Sequence, residues 1–216
     1  MEKEKIAIVL GTAHLWETAG KRSPDGKLRE PVYSREIVAG VKDKLEAYGY
    51  RVFIDYEPLE ADKQMFHRDQ RIMQSRELAR RVGAVNSVCR RYGAENTLFV
   101  SIHVDASSMG DRWSTANGWS VRVHPSAGAG SRLLADCLYS CAQSHGLKCN
   151  RPSEKQTYWE QRLKVLGDTQ CAAVLTENLF QDNEQDVRFL LSEEGRHTIE
   201  RLHVEGIIDY IQKYMP

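Results

Sequence analysis

Two histidines and two glutamates in this sequence stand where they could do chemistry together. His14 lies in "LGTAHLW", Glu30 closes "TAGKRSPDGKLRE", His103 lies in "SIHVDA" and Glu177 in "VLTENLF". Two imidazoles and one carboxylate, with a fourth position left to water, form the ligand set of a catalytic zinc site; structural zinc sites are normally closed by four protein ligands. Zinc in such a site activates water at neutral pH and polarises a carbonyl, which suits amide hydrolysis. A further carboxylate nearby serves as general base toward the water and then as acid toward the leaving amine. Singly, each residue says less. A lone histidine at a strand end is more often a hydrogen-bonded structural residue, and a lone glutamate more often a surface charge.

The weight of the set comes from the elements that must hold it. Apolar or β-branched runs of strand length occupy 6–10, 51–56, 97–104, 119–124 and 172–177. Between them, Val38, Val41, Leu45 and Tyr48 recur at helical spacing, as do Leu78, Val82, Val85, Cys89 and Tyr92. Leu133, Leu134, Cys137, Leu138 and Cys141 mark a third helix, and Ile199, Leu202, Ile207 and Tyr210 a fourth. Strands alternating with helices predict an α/β fold, a mainly parallel twisted sheet flanked by helices on both faces. In open α/β sheets, ligands bind beyond the carboxyl ends of the strands. The first strand runs out into His14, the third into His103 and the fifth into Glu177, while Glu30 ends the long connection 11–30. Connections of that length are usually functional or disordered, and this one has a candidate ligand at each end.

The totals bound the function from outside. The chain of 216 residues suits one large domain or a domain with a small appendage, and a single domain over 1–216 without a separate binding module is expected. Lys+Arg and Asp+Glu balance at 30 each, which does not favour nucleic acid as a partner. No apolar stretch approaches the roughly 18–20 residues that cross a bilayer, so membrane insertion is not expected. "MEKEKIAIVLG" is too short in its apolar run for a signal peptide, so synthesis in the cytoplasm is expected. Five cysteines at irregular spacing and without a C-x-x-C pair read as reduced thiols, Cys137 and Cys141 facing the core.

At this point the motifs resemble a known family. "SIHVDA" is similar to the S-I-H-x-[ND]-A element of zinc-dependent N-acetylmuramoyl-L-alanine amidases (amidase type 3), and "VLTENLFQDN" to their closing V-L-x-E-x-x-F-x-x-N element. "LARRVGAVN" resembles their L-x-x-R-x-x-x-A-N segment, carried by Leu78, Arg81, Val85 and Asn86, and "TAGKRSPDGKLRE" looks like the loop of the phage and prophage branch. The matches keep the family's order and run from about Lys5 to the C-terminus. The resemblance implies that His14, Glu30 and His103 hold Zn2+ and that Glu177 is the catalytic carboxylate. It implies cleavage of the amide between the lactyl group of N-acetylmuramic acid and the L-alanine of the stem peptide. Peptidoglycan would then be the partner, a monomer is expected, and action would follow lysis or export. Departures exist: "LGTAH" stands where the family leads with D-P-G-H, removing an aspartate behind the histidine, and "KVLGDT" offers Gly167 and Asp168 where many relatives carry arginine.

Asn178, His124 and Arg81 are the candidates for the substrate cleft, and 57–74 and 145–164 read either as exposed helix or loop or as its walls. His67, His145, His197 and His203 read as surface residues. Tyr158 and Trp159 suit either stacking on a sugar or packing under a loop. Two other functions remain open: a zinc amidohydrolase or carboxypeptidase on a small N-acyl or peptide substrate, and a wall-binding protein without turnover.

Overall fold

The computed structural model describes residues 3–16, 18–56 and 70–215. His67 and most of the first expected cleft wall lie outside these residues. The strands are β1 (Ala7–Thr12), β2 (Arg51–Ile54), β3 (Thr97–Asp105), β4 (Ser120–Val123), β5 (Trp159–Glu160) and β6 (Ala172–Phe180). The helices are α1 (Glu30–Ala47), α2 (Gln70–Tyr92), α3 (Ala129–Ser144), α4 (Lys164–Gly167), α5 (Glu184–Leu191) and α6 (Glu193–Tyr214). All five expected strands and four expected helices are present. The short β5, α4 and α5 carry too little periodicity to be read from the sequence.

Among the described residues the strands form one sheet in the order β2-β1-β3-β6-β4-β5. The first four run parallel, whereas β4 pairs antiparallel with β6 and carries β5 parallel to itself. Alternate residues of each strand face opposite sides. Ile8, Leu10, Val100, Ile102, Val121 and Val174 pack with residues of α1, α3 and α6 such as Ile37, Leu134 and Leu202. Val9, Phe99, Ala173 and Leu175 pack on the other side with Val85 and Cys89 of α2 and Val165 and Leu166 of α4. Burying each such aliphatic side chain contributes roughly 1.5–3 kcal/mol. Coverage on both faces is why the central strands read as unbroken apolar runs.

The same alternation aims the polar residues at the strand ends. His103 lies in phase with Phe99, and Glu177 with Ala173 and Leu175, so both leave the sheet on its α2 face. Gly11 is needed beneath them: a Cβ there would stand 2.8 Å from the Phe99 ring and 2.9 Å from Ser101 Oγ. Two helix starts are held by side chains, α5 by Asn183 accepting from the Gln185 and Asp186 amides and α6 by Ser192 accepting from Gly195.

His203 overturns its expected surface position. It is fully buried on α6, with Nδ1 on the Ile199 carbonyl at 2.7 Å and Nε2 on Thr176 Oγ1 at 2.9 Å. It stands four residues from both Ile199 and Ile207, so it shares their buried stripe. No helix among the described residues is long and apolar enough to cross a membrane.

Candidate active site

The connection 11–30 is not a structureless loop. Its far half folds back on itself, with an antiparallel bridge between Arg22 and Arg29 and the Ser23 amide on the Leu28 carbonyl at 2.8 Å. Gly26, at φ 72°, supplies the left-handed residue at the tip of "SPDGKL". This small hairpin returns the chain so that Glu30 opens α1, where a carboxylate meets the positive end of the helix dipole. The near half is held from below. The Ala13 amide donates to Ser34 Oγ at 2.8 Å, and Ser34 in turn donates to the Ile102 carbonyl at 2.6 Å, joining loop, helix and sheet.

His14 has φ 49°, a conformation uncommon for a residue with a side chain, so its surroundings must impose it. Its carbonyl accepts from Arg35 Nη2 at 2.9 Å and Arg81 Nη2 at 3.4 Å. Arg81 is itself clamped, with Nη1 on both oxygens of Asp55 at 2.9 and 2.8 Å and Nε and Nη2 on Glu77 Oε1 at 2.9 and 2.8 Å. Asp55 also accepts from the Thr12 amide at 3.0 Å. The chain thus lacks an aspartate just ahead of His14 but anchors that backbone with one from the end of β2.

His14 Nε2 and His103 Nδ1 approach Glu30 Oε1 to 3.3 and 3.0 Å. One donor atom from each of the three residues lies within 4.8 Å of the others, so the cluster could hold a metal ion. The Val104 amide adds a hydrogen bond to Glu30 Oε1 at 3.2 Å, and Ser101 Oγ meets His103 Nε2 at 3.1 Å, fixing the ring. Burial pushes the Glu30 carboxyl up, yet His14, His103 and Lys21 outweigh it and hold it well below the usual range. Burial also lowers His103 to about 4, against the pull of Glu30, so its imidazole is neutral at pH 7 and able to ligate. The donor set of two imidazoles and a carboxylate fits zinc. So does the local imbalance: Glu30 Oε2, with Lys21 Nζ at 3.5 Å, and Glu177 Oε2 are both buried without a hydrogen-bond partner.

Glu177 stands opposite His103 in the β3–β6 register. Beyond this pair the register shifts: Asp105 faces Phe180, so β6 carries an extra residue there, and Leu179 takes φ 63°. Arg122 of β4 donates from Nη2 to Asp105 Oδ2 at 2.6 Å and from Nε to Glu177 Oε1 at 3.4 Å. Burial raises the Glu177 carboxyl well above the usual range, with Asp105 and Glu30 adding to this and Arg122 and Lys21 opposing it. Such a group takes and returns a proton more readily than an exposed carboxylate.

The sequence thus brings His14, Glu30, His103 and Glu177 to one spot, and the three cleft candidates lie elsewhere. Arg81 is 3% exposed and faces Asp55 and Glu77, behind the His14 backbone. Asn178 is fully buried, accepting from Trp119 Nε1 at 2.8 Å and donating to the His103 carbonyl at 2.9 Å. His124 ends β4, but β4 runs antiparallel, so its carboxyl end lies at the opposite edge of the sheet. There His124 lines a cavity with Gly128, Gly167 and Ala172. Tyr158 accepts from Arg132 Nη1 at 3.0 Å, while Trp159 is exposed and in register with Arg122. Arg122, Asp55 and Lys21 were not legible as site residues, and Asp105 stood out only as the [ND] position of "SIHVDA".

The family profile described as N-acetylmuramoyl-L-alanine amidase matches residues 8–209. Among curated proteins, the endolysin of Bacillus phage SPP1 is 31% identical over 118 residues, 55% of this chain and 41% of the endolysin. The match therefore spans less than half the length of that relative. Among solved structures, the CwlD amidase of Clostridioides difficile, in complex with the GerS lipoprotein, has a TM-score of 0.73 at 18% identity, covering 96% of this chain and 98% of that one. The catalytic domain of CwlV, an N-acetylmuramoyl-L-alanine amidase from Bacillus (Paenibacillus) polymyxa var. colistinus, has 0.72 at 19%, covering 96% and 98%. The catalytic domain of the CD27L endolysin, which targets Clostridia difficile, has 0.64 at 19%, covering 94% and 97%. At these identities the likenesses establish the fold.

Proposed function

The chain belongs to the N-acetylmuramoyl-L-alanine amidase family, and on that footing we propose that it hydrolyses the amide between N-acetylmuramic acid and L-alanine in peptidoglycan. The observation that carries this reading is the convergence of His14, Glu30 and His103 into one triad, with Glu177 beside His103 on the next strand. We infer that the triad holds Zn2+. The chemistry zinc supplies when bound is activation of water at neutral pH and polarisation of an amide carbonyl. Glu177 accepts a proton from the attacking water at Oε2, its unpartnered oxygen. The water's oxygen bonds to the lactyl carbonyl carbon, the C–N bond breaks, and Glu177 returns the proton to the leaving nitrogen of L-alanine. The burial of this carboxyl keeps bulk water from competing for that proton.

The likeness to a phage endolysin supports action on the wall after lysis or export, and the family profile over residues 8–209 supports residues 1–216 acting as one catalytic domain. The test is digestion of purified peptidoglycan, with and without a chelator, scoring new alanine N-termini against new reducing sugar ends. Chelator-sensitive release of alanine termini alone is expected. A zinc-loaded protein that releases none would turn the assignment to a small-substrate amidohydrolase or a wall-binding protein without turnover.

A further inference from the structure

The phase of the strands sets a row of side chains across the α2 face of the sheet. His103 and Glu177 are paired on β3 and β6, and Ser120 of β4 stands opposite Glu177 in the antiparallel register. Arg122 lies two residues beyond Ser120 and therefore on the same face. Its side chain is 18% exposed and its guanidinium spans two carboxylates, Nη2 to Asp105 at 2.6 Å and Nε to Glu177 Oε1 at 3.4 Å. The Asp105 contact is the shorter and fixes the plane of the fork; the Glu177 contact uses the nitrogen that remains. Glu177 then has one oxygen held and the other, Oε2, without a partner among the described residues.

We propose that Arg122, oriented by Asp105, is the positioning residue for Glu177. It selects which carboxylate oxygen faces the reacting water and holds that oxygen in one rotamer. The inference rests on the amidase reading, because it assigns Arg122 a task only if Glu177 moves the proton. A planar guanidinium can make both contacts at once, whereas a lysine ammonium is a point charge without that fixed geometry. Arg122 and Asp105 accordingly form a coupled pair: once Arg122 is gone, Asp105 has nothing left to orient.

The test uses Arg122→Gln, Arg122→Lys, Asp105→Asn and the double variant Arg122→Gln/Asp105→Asn, each assayed for kcat, KM, bound zinc and melting temperature. Arg122→Gln is expected to lower kcat roughly 10- to 100-fold, the size typical when a partner that orients a reacting group is removed. KM, zinc content and melting temperature should stay near wild type. Arg122→Lys keeps the charge and, should the glutamine variant fail to fold, carries the test; it is expected to recover only part of kcat. The double variant should be no slower than Arg122→Gln alone, the signature of coupling. A kcat within twofold of wild type for both Arg122 variants overturns the proposal, as does a loss of zinc or of melting temperature in step with activity. Zinc-loaded wild type without turnover is a different result, and it removes the amidase reading itself.

Discussion

Among single residues, the proposed reaction divides the labour between groups that bind and one that transfers. His14, Glu30 and His103 converge on one point, and Glu177 stands beside them with an oxygen unpartnered. Replacing Glu177 by Gln keeps the size and the Arg122 contact but removes the basic oxygen. Zinc binding is expected to persist while kcat falls by roughly 100- to 10,000-fold, the range of general acid–base catalysis. Replacing His103 by Ala should instead abolish zinc binding. Metal analysis of both variants separates these roles, and a Glu177→Gln enzyme with normal turnover would remove Glu177 from the reaction. The four residues were legible in the sequence because each sits at a strand end or closes the loop after one. Arg122 and Asp55 were not, because an arginine within a strand or an aspartate after one has no local feature that separates it from solvated charge.

At the scale of elements, the bulge that follows Glu177 joins β6 to the core. Asn178 points away from the site, holding the Trp119 indole with its oxygen and the His103 carbonyl with its nitrogen. Its Nδ2 also lies 3.2 Å from Thr176 Oγ1, which meets His203 at 2.9 Å. A buried polar chain thus runs from α6 through β6 to the backbone of His103. Asn178→Ala leaves a buried indole N–H without a partner and removes a hydrogen bond to the His103 carbonyl, and should cost about 1–3 kcal/mol of stability. Because His103 loses its support, zinc should also bind more weakly than to wild type. Urea unfolding and a zinc titration measure the two effects, and an unchanged urea midpoint would count against the network. The sequence showed the strand that bears Asn178 but not its bulge, since one extra residue leaves the apolar pattern nearly intact.

For the whole molecule, the buried His203 ties stability to pH. The unfolded chain protonates this imidazole near its ordinary value of 6.5, while burial in the fold lowers it to about 4. Between those values the unfolded state holds the extra proton, so stability falls as pH falls and the loss is complete near pH 4. The shift corresponds to about 3 kcal/mol from this one group. His203→Gln removes the titration, so the stability gap between wild type and variant should narrow between pH 7.5 and 4.5. A gap that stays constant across that range would mean that His203 titrates alike in both states. Here a histidine on the apolar stripe of α6 escaped the sequence reading, because its chemistry suggested a surface and only its four-residue spacing from Ile199 and Ile207 marked it as buried.

The sequence by itself determined the order of strands and helices, the two-sided burial of the central sheet and the gathering of His14, Glu30, His103 and Glu177 at its carboxyl edge. These follow from local periodicity together with the rule that parallel strands present their carboxyl ends on one side. The tertiary structure alone decided the direction of β4. A parallel and an antiparallel strand share the same period of two, so no local pattern distinguishes them, yet that direction moved His124 to the far edge and brought Arg122 beside Glu177. It also decided that Arg81 and Asn178 serve from behind the site. Whether a polar side chain faces solvent or a buried partner depends on contacts between residues far apart in the chain, such as Arg81 with Asp55 and Asn178 with Trp119.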